Sequence, residues 1–434
     1  MILSRYCKIF RDTEDSGRLI LFSCKKGSII RVPEDMSERI GPGDLSQGEV
    51  YALGAHGFLV ESEEAEKKEL LAYIEEMNGI NTKFDATVVL NLDCNFACRY
   101  CFEGKRKGAF YMSRETADMF INFVRNRIAP EMKEIKVVYY GGEPLLSLEL
   151  IEYISEGLGN FAEKKGLAFS FGLITNSALL TGRNAERLKR LGLTAASVTL
   201  DGPKTIHDQF RPYKSGKGSF DTIVKNLKEV CELIDILIGG NFLEENYREF
   251  PGLLDFLMAN GLGPDRVSFV KFDPVSKETN EFAPSDFHDG CESINEPWLF
   301  DAGLFLREEI LKRGYRTQPI IPVICMMEIA NNLVINYDGS FFKCPGMIGR
   351  EKLRAGSLIR GVTDYSWAYN LDNWKNEECL KCCYLPLCRG GCRYSTLITT
   401  GNMDGVDCRK PYLDATLEAL VKQDIRYGVK AGDS

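Results

Sequence analysis

The sequence lacks long apolar runs and any excess of basic residues. No stretch approaches the roughly 18 uninterrupted apolar residues of a membrane-spanning helix, and the N-terminus shows no basic region followed by an apolar core, as a secretion signal would. The formal net charge is −8, from 62 acidic and 54 basic residues, and these are interspersed rather than gathered into the basic stripe that nucleic-acid backbones require. We therefore expect a cytoplasmic protein without membrane or nucleic-acid partners.

Cysteine, in contrast, is abundant, at 15 of 434 residues. In a reducing compartment, clustered cysteines bind metals or iron–sulfur clusters more often than they form disulfides. A chain of this length exceeds one ordinary domain, so we expect two or three structural units with a sizeable core. The positions of the cysteines therefore carry most of the functional information.

Three segments differ in their residue pattern. Residues 1–80 contain strand-like runs followed by helical patterns, which predicts a small α+β module. Residues 81–310 alternate apolar strand-like runs with amphipathic helices, which is typical of parallel strands joined by helical crossovers. Six such units with right-handed crossovers predict a partial (β/α)6 TIM-like barrel, whose ligand site lies at the carboxyl ends of the strands. Residues 311–434 are rich in glycine and cysteine, with a terminal helix predicted at 410–428.

The six predicted strands are apolar enough to be covered on both faces. They lie at 87–93, 135–142, 169–177, 195–202, 234–241 and 267–273. The helices between them are expected to begin at side-chain oxygens that can cap a first turn, namely those of Ser113, Ser147, Asn184 and Ser219.

The first cysteine group, CNFACRYC, follows the first predicted barrel strand and contains Cys94, Cys98 and Cys101. Three thiolates on one short loop can hold three irons of a [4Fe-4S] cluster and leave the fourth iron open. An open coordination position is typical of a catalytic metal site. The alternative is a structural zinc site, which the position of the loop at a strand end disfavours.

Further polar groups lie at the ends of the later strands. The second strand ends in Gly141, Gly142, Glu143 and Pro144, where glycines permit close backbone approach and a carboxylate can accept hydrogen bonds from an ammonium group. Other candidates are Asn176, Thr199, Asp201 and Asn241. Each of these could equally cap a helix or complete a turn. His207 is interpreted as a solvated side chain rather than a base.

The C-terminal segment contains seven further cysteines at defined spacings. They are Cys325, Cys344, Cys379, Cys382, Cys388, Cys392 and Cys408, with Gly339 four residues before the second one. A set made of sulfur ligands alone favours iron–sulfur clusters, although paired cysteines are also typical of structural zinc.

Together these motifs resemble radical S-adenosylmethionine (SAM) enzymes that carry a C-terminal SPASM extension. That family has CxxxCxxC after its first strand, with an aromatic residue before the last cysteine, here Tyr100. The resemblance implies that the open iron chelates SAM, and that the reduced cluster cleaves SAM to a 5'-deoxyadenosyl radical. It also implies that the GGEP segment contacts the amino group of SAM and that Thr199 and Arg211 lie near SAM.

The seven-cysteine pattern implies two auxiliary [4Fe-4S] clusters, three clusters in all. By the family's interleaved ligation, Cys325, Cys344 and Cys392 would hold the first auxiliary cluster, and Cys379, Cys382, Cys388 and Cys408 the second. The first set has only three thiolates, since no cysteine lies between Cys291 and Cys325. We therefore expect an open iron there, unless Cys291 or Cys383 reaches it.

SPASM enzymes mostly modify ribosomally made peptides, so the resemblance implies a precursor peptide with a leader, and a reductant such as flavodoxin or ferredoxin. Sulfatase maturases carry an aspartate directly after the second SPASM cysteine, whereas this chain has Pro345. That difference favours the peptide maturases, geopeptide-type or thioether-forming, over a sulfatase maturase. Residues 1–80 resemble a leader-recognition module, which would add the leader as an edge strand. The alternative of another class is a non-catalytic, multi-cluster electron carrier.

Overall fold

The computed structural model describes residues 1–40, 43–79, 82–277 and 287–429. The predicted boundary between residues 80 and 81 lies outside the described residues. No helix in the described parts of the chain is both long enough and apolar enough to cross a membrane.

The N-terminal module is a three-stranded antiparallel sheet followed by helices. Its elements are β1 (Ile2–Leu3), β2 (Cys7–Arg11), β3 (Arg18–Ser23), β4 (Ile29–Pro33), α1 (Met36–Ile40), α2 (Gln47–Ala55), β5 (Leu59–Val60) and α3 (Glu63–Asn78). The sheet order is β2-β3-β4, and β1 pairs with β5. A capping box at Ser46 and Glu49 begins α2, because each side chain satisfies a backbone N–H of the other residue.

The central unit alternates strands and helices. Its elements are β6 (Lys83–Asn91), α4 (Arg114–Arg127), β7 (Glu134–Gly141), α5 (Leu148–Lys165), β8 (Ala168–Thr175), α6 (Gly182–Lys189), β9 (Leu193–Thr199), α7 (Lys204–Phe210), α8 (Phe220–Val230), β10 (Asp235–Phe242), α9 (Phe250–Ala259), β11 (Phe269–Pro274) and α10 (Pro297–Lys312). Strands β6 to β11 are parallel neighbours in sequence order. All six predicted strands are present, and the α/β fold with a partial barrel is confirmed.

The helix starts show where capping was predicted well and where it was not. The Ser113 hydroxyl caps α4 by accepting from the Thr116 N–H at 3.1 Å. Ser147 and Ser219 occupy the expected cap positions without a side-chain cap bond. Helix α6 begins earlier than expected, because Thr181 rather than Asn184 supplies the cap.

The C-terminal region extends the barrel sheet. Its elements are β12 (Asn332–Ile335), β13 (Ser340–Phe342), β14 (Gly356–Ser357), β15 (Gly361–Val362), α11 (Glu377–Lys381), α12 (Leu385–Cys388), α13 (Arg393–Thr400) and α14 (Lys410–Tyr427). Strand β12 pairs in parallel with β6, and β13 to β15 follow as antiparallel strands. The terminal helix was predicted correctly. Helix α10 was not predicted, and it pairs with α14 through the buried ion pair of Arg307 and Asp424.

The three regions share apolar cores. Phe22, Ile74 and Leu417 belong to one buried cluster that also includes Trp374 and contacts Cys382. The N-terminal module is therefore packed directly on the segment that carries the second auxiliary cysteine set, and the division at residues 80 and 310 stays a proposal.

Candidate active site

A cavity of about 400 Å³ opens at the carboxyl ends of the parallel strands. Its volume lies in the range of about 300–1,000 Å³ that is typical of small-molecule sites. The lining includes most of the predicted site residues, namely Cys94, Cys98, Tyr100, Cys101, Gly141, Gly142, Asn176, Thr199, Arg211 and Asn241. Glu143 and Pro144 are buried beside it but do not line it. The structure thus brings the cysteine loop and four strand ends to one place.

The cysteine loop is held by the chain that follows α7. Three backbone hydrogen bonds join segment 95–99 to segment 210–214, with N–O distances of 2.8, 3.0 and 2.9 Å. The Lys214 ammonium also donates to the Asp93 carboxylate at 2.8 Å, and the Cys94 N–H donates to the same carboxylate at 2.8 Å. The loop geometry therefore depends on a segment more than 100 residues away in sequence.

The two glycines serve packing within the protein. A side-chain carbon at Gly142 would lie 2.2 Å from the Asp93 carbonyl oxygen, and one at Gly141 would lie 2.4 Å from that of Asn91. Gly141 also has a φ of 151°, which disfavours other residues. The glycines let β7 approach the start of the cysteine loop, whereas we expected from the sequence that they would let a ligand approach closely.

The Glu143 carboxylate is fully enclosed and satisfied by the protein. It accepts hydrogen bonds from the Thr175 hydroxyl at 2.7 Å and from the N–H groups of Asn176 and Leu145 at 2.8 and 3.0 Å. Burial raises its pKa, and these donors act in the opposite direction. Glu143 thereby ties the end of β7 to the end of β8, and its predicted contact with an ammonium group stays a prediction.

Tyr100 joins the cysteine loop to two strand ends. Its hydroxyl donates to the Asp201 carboxylate and accepts from Arg211 at 3.0 Å and from Asn241 at 3.1 Å. Asp201 is 1% exposed, and burial raises its pKa while the Arg211 guanidinium lowers it. This network fixes the aromatic ring between Cys98 and Cys101 and orients Arg211 along the cavity wall.

His207 is fully buried, so the interpretation as a solvated side chain was wrong. Its Nδ1 accepts from the Asp201 N–H at 3.1 Å, and its Nε2 lies 3.0 Å from the Ser219 hydroxyl. That hydroxyl donates to the Arg211 carbonyl at 2.6 Å, so the remaining hydrogen-bond role of Nε2 is that of donor. Burial and Arg211 lower the pKa of His207 to about 3. A neutral imidazole therefore braces the turn that carries Asp201 and Arg211.

Two further charged side chains line the cavity and were missed. Burial alone would lower the pKa of Lys107, but the neighbouring Cys101 and Cys98, in their deprotonated form, raise it above its usual value. Glu103 is 4% exposed, and neither of its carboxylate oxygens has a hydrogen-bond partner of good geometry among the described residues. Burial raises the pKa of Glu103, while Lys107 lowers it. Both residues follow Cys101 closely, which was the only available sequence signal.

The thiols around the cavity suit an iron–sulfur cluster. Burial raises the pKa of Cys98 to about 11, so bound metal is needed to hold it as a thiolate. Within the described residues, no three His, Cys, Asp or Glu side chains are arranged to share one metal ion. The separation of the three thiols disfavours a single zinc ion. It is compatible with a cubane cluster, in which each thiolate binds a different iron.

The C-terminal thiols fall into two neighbourhoods. Burial, together with the neighbouring thiols of Cys392 and Cys325, raises the pKa of Cys344 to about 12, so these three lie close together. Burial likewise raises the pKa of Cys379, with further upward contributions from Cys408 and Cys382.

The second neighbourhood also contains Cys388, because burial and Cys408 both raise its pKa. Cys383 lies against Cys382 and Cys24, and Cys291 against Glu296. Among the described residues, no thiol other than those of Cys392 and Cys325 raises the pKa of Cys344. The first set therefore has three neighbouring thiols.

Glu328 joins the elements that carry both sets. Its carboxylate accepts from Arg393 at 2.8 Å and from Arg389, and all three side chains are at most 5% exposed. Arg389 follows Cys388, Arg393 follows Cys392, and the Glu328 N–H donates to the Cys325 carbonyl at 2.9 Å. These ion pairs could not be predicted from the sequence, because Arg389 and Arg393 lie more than 60 residues from Glu328 along the chain.

The comparison with family models decides the assignment of the central unit. Residues 88–257 match the Radical SAM superfamily. The chain carries a radical SAM domain. The match spans β6 to α9 and contains the cysteine loop, the glycine pair and the Tyr100 network. The match implies SAM and a [4Fe-4S] cluster as the cofactors of this domain.

Three curated relatives show how far sequence similarity extends. The cysteine-type anaerobic sulfatase-maturating enzyme of Clostridium novyi is 23% identical over 76% of this chain and 93% of its own length. The radical SAM cyclopropyl synthase TigE of Paramaledivibacter caminithermalis is 27% identical over 70% of this chain and 66% of its own length. The Fe-coproporphyrin III synthase of Methanosarcina barkeri is 29% identical, but the match covers only 38% of each chain.

Solved structures share the fold beyond the radical SAM domain. The native anSMEcpe chain with bound AdoMet and Cp18Cys peptide matches with a TM-score of 0.61 at 19% identity, over 80% of this chain and all of that one. Streptococcus suis SuiB bound to precursor peptide SuiA matches with a TM-score of 0.54 at 13% identity, over 94% of this chain and 98% of that one. At such identities the likeness establishes the fold alone.

Proposed function

We propose that this radical SAM enzyme modifies a ribosomally synthesised peptide by forming a thioether or carbon–carbon cross-link or by epimerising a residue. The observation that carries the proposal is the shared cavity of Cys94, Cys98 and Cys101 with the strand-end residues expected to bind SAM. With a [4Fe-4S] cluster and SAM bound, such a site supplies a 5'-deoxyadenosyl radical for hydrogen abstraction.

The residues of the chain position and enclose the reactants. Arg211 offers a half-buried guanidinium to a carboxylate or ribose oxygen, and Tyr100 and Asp201 hold it in place. Asn176 and Asn241 offer amide groups at neighbouring strand ends. Buried apolar walls such as Phe96 and Phe287 limit the entry of water, which protects a reactive species.

Two auxiliary [4Fe-4S] clusters would be held by the two thiol neighbourhoods, with Cys325, Cys344 and Cys392 on the first. Three neighbouring thiols leave one iron of that cluster open to an external ligand. Tyr394, two residues after Cys392, lines the SAM cavity, so the first auxiliary site adjoins the reaction cavity. A substrate cysteine bound there would have its thiol pKa lowered by the metal, which favours a thioether product.

The N-terminal module would bind the leader of the precursor peptide. The ladder bonds place the N–H groups of Ile9 and Arg11 on β2 and of Arg31 on β4 at the outer edges of the sheet. Either edge can accept an additional strand. A reductant such as flavodoxin or ferredoxin would supply the electron.

Specific observations disfavour the alternatives. A sulfatase-maturase activity lacks its aspartate, because Pro345 follows Cys344. A purely electron-carrying protein requires all of its irons to be held by the protein, whereas the first loop has three thiols beside a cavity large enough for a cosubstrate.

The triple change of Cys94, Cys98 and Cys101 to alanine tests the radical SAM assignment. We expect the reconstituted variant to lose about four irons per chain and to form no 5'-deoxyadenosine from SAM under reducing conditions, while the auxiliary iron remains. Cys231→Ala is the matched control, because that thiol lies at the end of α8, outside the three cysteine groups. Undiminished 5'-deoxyadenosine formation by the triple variant would refute the assignment.

A further inference from the structure

A second, larger cavity lies between the N-terminal module and the C-terminal region. We refer to this space of about 1,100 Å³ as the interdomain cleft. Helix α3 forms one wall through Leu71, Ile74, Glu75 and Asn78, and residues 349–353, 366–375 and 401–404 form the others. Its volume exceeds the range of about 300–1,000 Å³ that suits drug-sized molecules, so a longer occupant fits it better.

Two tryptophans give the interdomain cleft an apolar surface and a hydrogen-bond donor. Trp367 is 91% exposed, the most exposed large apolar side chain among the described residues. Trp374 is 3% exposed, and its indole N–H has no acceptor among the described residues. A buried donor without a partner is rare in a folded protein, and an exposed indole beside it is typical of a binding surface. A peptide carbonyl would satisfy the Trp374 N–H.

The charges of the interdomain cleft define the occupant further. Asp372 is paired with Lys375, and Glu351 with Arg354. Glu75 and Asp404 come from two different walls and form no ion pair within the described residues. The ammonium of Lys352, which also lines the cleft, forms none either, so the unpaired carboxylates outnumber the unpaired ammonium groups. Two free carboxylates beside apolar surface favour a segment that carries a basic side chain together with an aromatic or large aliphatic one.

The interdomain cleft adjoins the reaction cavity. Leu397 lines the cleft and Tyr394 lines the SAM cavity, and residues three apart on a helix are neighbours on one face. Arg106, just beyond the cysteine loop, donates to the Ile348 carbonyl beside the Gly349 wall of the cleft. A chain lying in the cleft can therefore continue toward the cysteine loop.

We propose that the interdomain cleft binds an extended segment of the substrate peptide that carries a basic and an aromatic or large aliphatic side chain. This inference rests on the proposed function and adds to it the place and chemistry of substrate recognition. The Trp374 N–H binds a backbone carbonyl, Trp367 covers the apolar side chain, and Glu75 and Asp404 attract the basic one.

The test uses the full-length, anaerobically reconstituted chain and a phage-displayed library of random peptides. Enriched peptides are synthesised with a fluorescent label, and their affinities are measured by anisotropy. We expect enriched peptides to contain Lys or Arg next to an aromatic or large aliphatic residue. Trp367→Ala should weaken binding about tenfold or more, because a central tryptophan often dominates an interface, and Glu75→Lys should also weaken it.

Matched controls separate the interdomain cleft from the general surface. Ile359→Ala changes an equally exposed apolar residue outside the cleft, and Glu76→Lys changes the exposed neighbour of Glu75 on α3. Both controls should alter affinity by no more than about twofold. Trp374→Phe removes the indole donor, so it should weaken binding. Because phenylalanine is also smaller than the buried tryptophan, the unfolding midpoint of this variant is measured alongside its affinity.

Three outcomes would overturn the proposal, and the first two concern the peptides. One is the absence of any enriched peptide, and the other is enrichment of peptides whose affinity is the same in Trp367→Ala, Glu75→Lys and the parent chain. Binding of flavodoxin alone, sensitive to Trp367→Ala, would assign the interdomain cleft to a protein reductant and would also overturn it. Formation of 5'-deoxyadenosine is measured separately, so a peptide-free cleft on an active enzyme leaves the proposed function intact.

Discussion

Replacing Glu328 by glutamine tests whether one buried carboxylate holds the auxiliary cysteines in place. Glu328 bears the only negative charge that the buried Arg389 and Arg393 contact through hydrogen bonds in the described structure. The substitution leaves two buried guanidinium groups without a counter-charge. Removing one partner of a buried ion pair costs about 3–5 kcal/mol.

The cost should appear as lost auxiliary iron. The turns after Cys325, Cys388 and Cys392 all depend on Glu328, so the substitution should shift these three thiols from the positions in which they bind a cluster. We expect Glu328→Gln to unfold at lower guanidinium concentration and to retain less iron and labile sulfide after reconstitution. SAM cleavage at the first cluster should persist, because Glu328 does not line that cavity.

The matched control is Glu351→Gln, whose side chain is 70% exposed and paired with Arg354. Exposed pairs contribute about 0–1 kcal/mol, so iron content and unfolding should match the parent chain. Parental iron content and an unchanged unfolding midpoint in Glu328→Gln would refute the reasoning.

Two further predictions concern the buried histidine and the leader. The pKa of His207 is about 3 in the folded chain and about 6.5 when unfolded, so the unfolded state binds more protons between these values. The free energy of unfolding should then decrease as pH falls below about 6.5, by about 2 kcal/mol at pH 5. Denaturant titrations of His207→Gln should show no such decrease. The same pH dependence of unfolding in both proteins would contradict the prediction. For the leader, Ile9→Pro or Arg31→Pro removes one outward N–H from a sheet edge, so at least one of them should weaken binding of the cognate precursor in anisotropy without reducing SAM cleavage. Full affinity in both would exclude edge-strand addition.

The barrel could be predicted because its signals are local. In strands β6 to β10 one face is buried and the other is mostly half-buried, so a run such as 135–142 is largely apolar. A cap such as Ser113 marks the start of the next helix. Helix α10 was missed, because its apolar residues face two partners, the barrel and α14, and the one-sided periodicity is blurred.

The candidate site could be predicted only in part. The spacing of the cysteines can be read directly from the sequence, and the structure places Cys94, Cys98 and Cys101 around one cavity. The surroundings of Glu143 and His207 depend on contacts between distant segments, which spacing does not encode. Both side chains prove to be enclosed by partners that hold neighbouring loops.

The central claim is that one cluster, held by Cys94, Cys98 and Cys101, binds SAM at an open iron. Electron paramagnetic resonance of the reduced, reconstituted chain tests this most directly. Addition of SAM should change the signal of one cluster and leave the others unaltered, and the triple alanine variant should show no SAM-dependent change. A spectrum of the parent chain that is identical with and without saturating SAM would contradict the account.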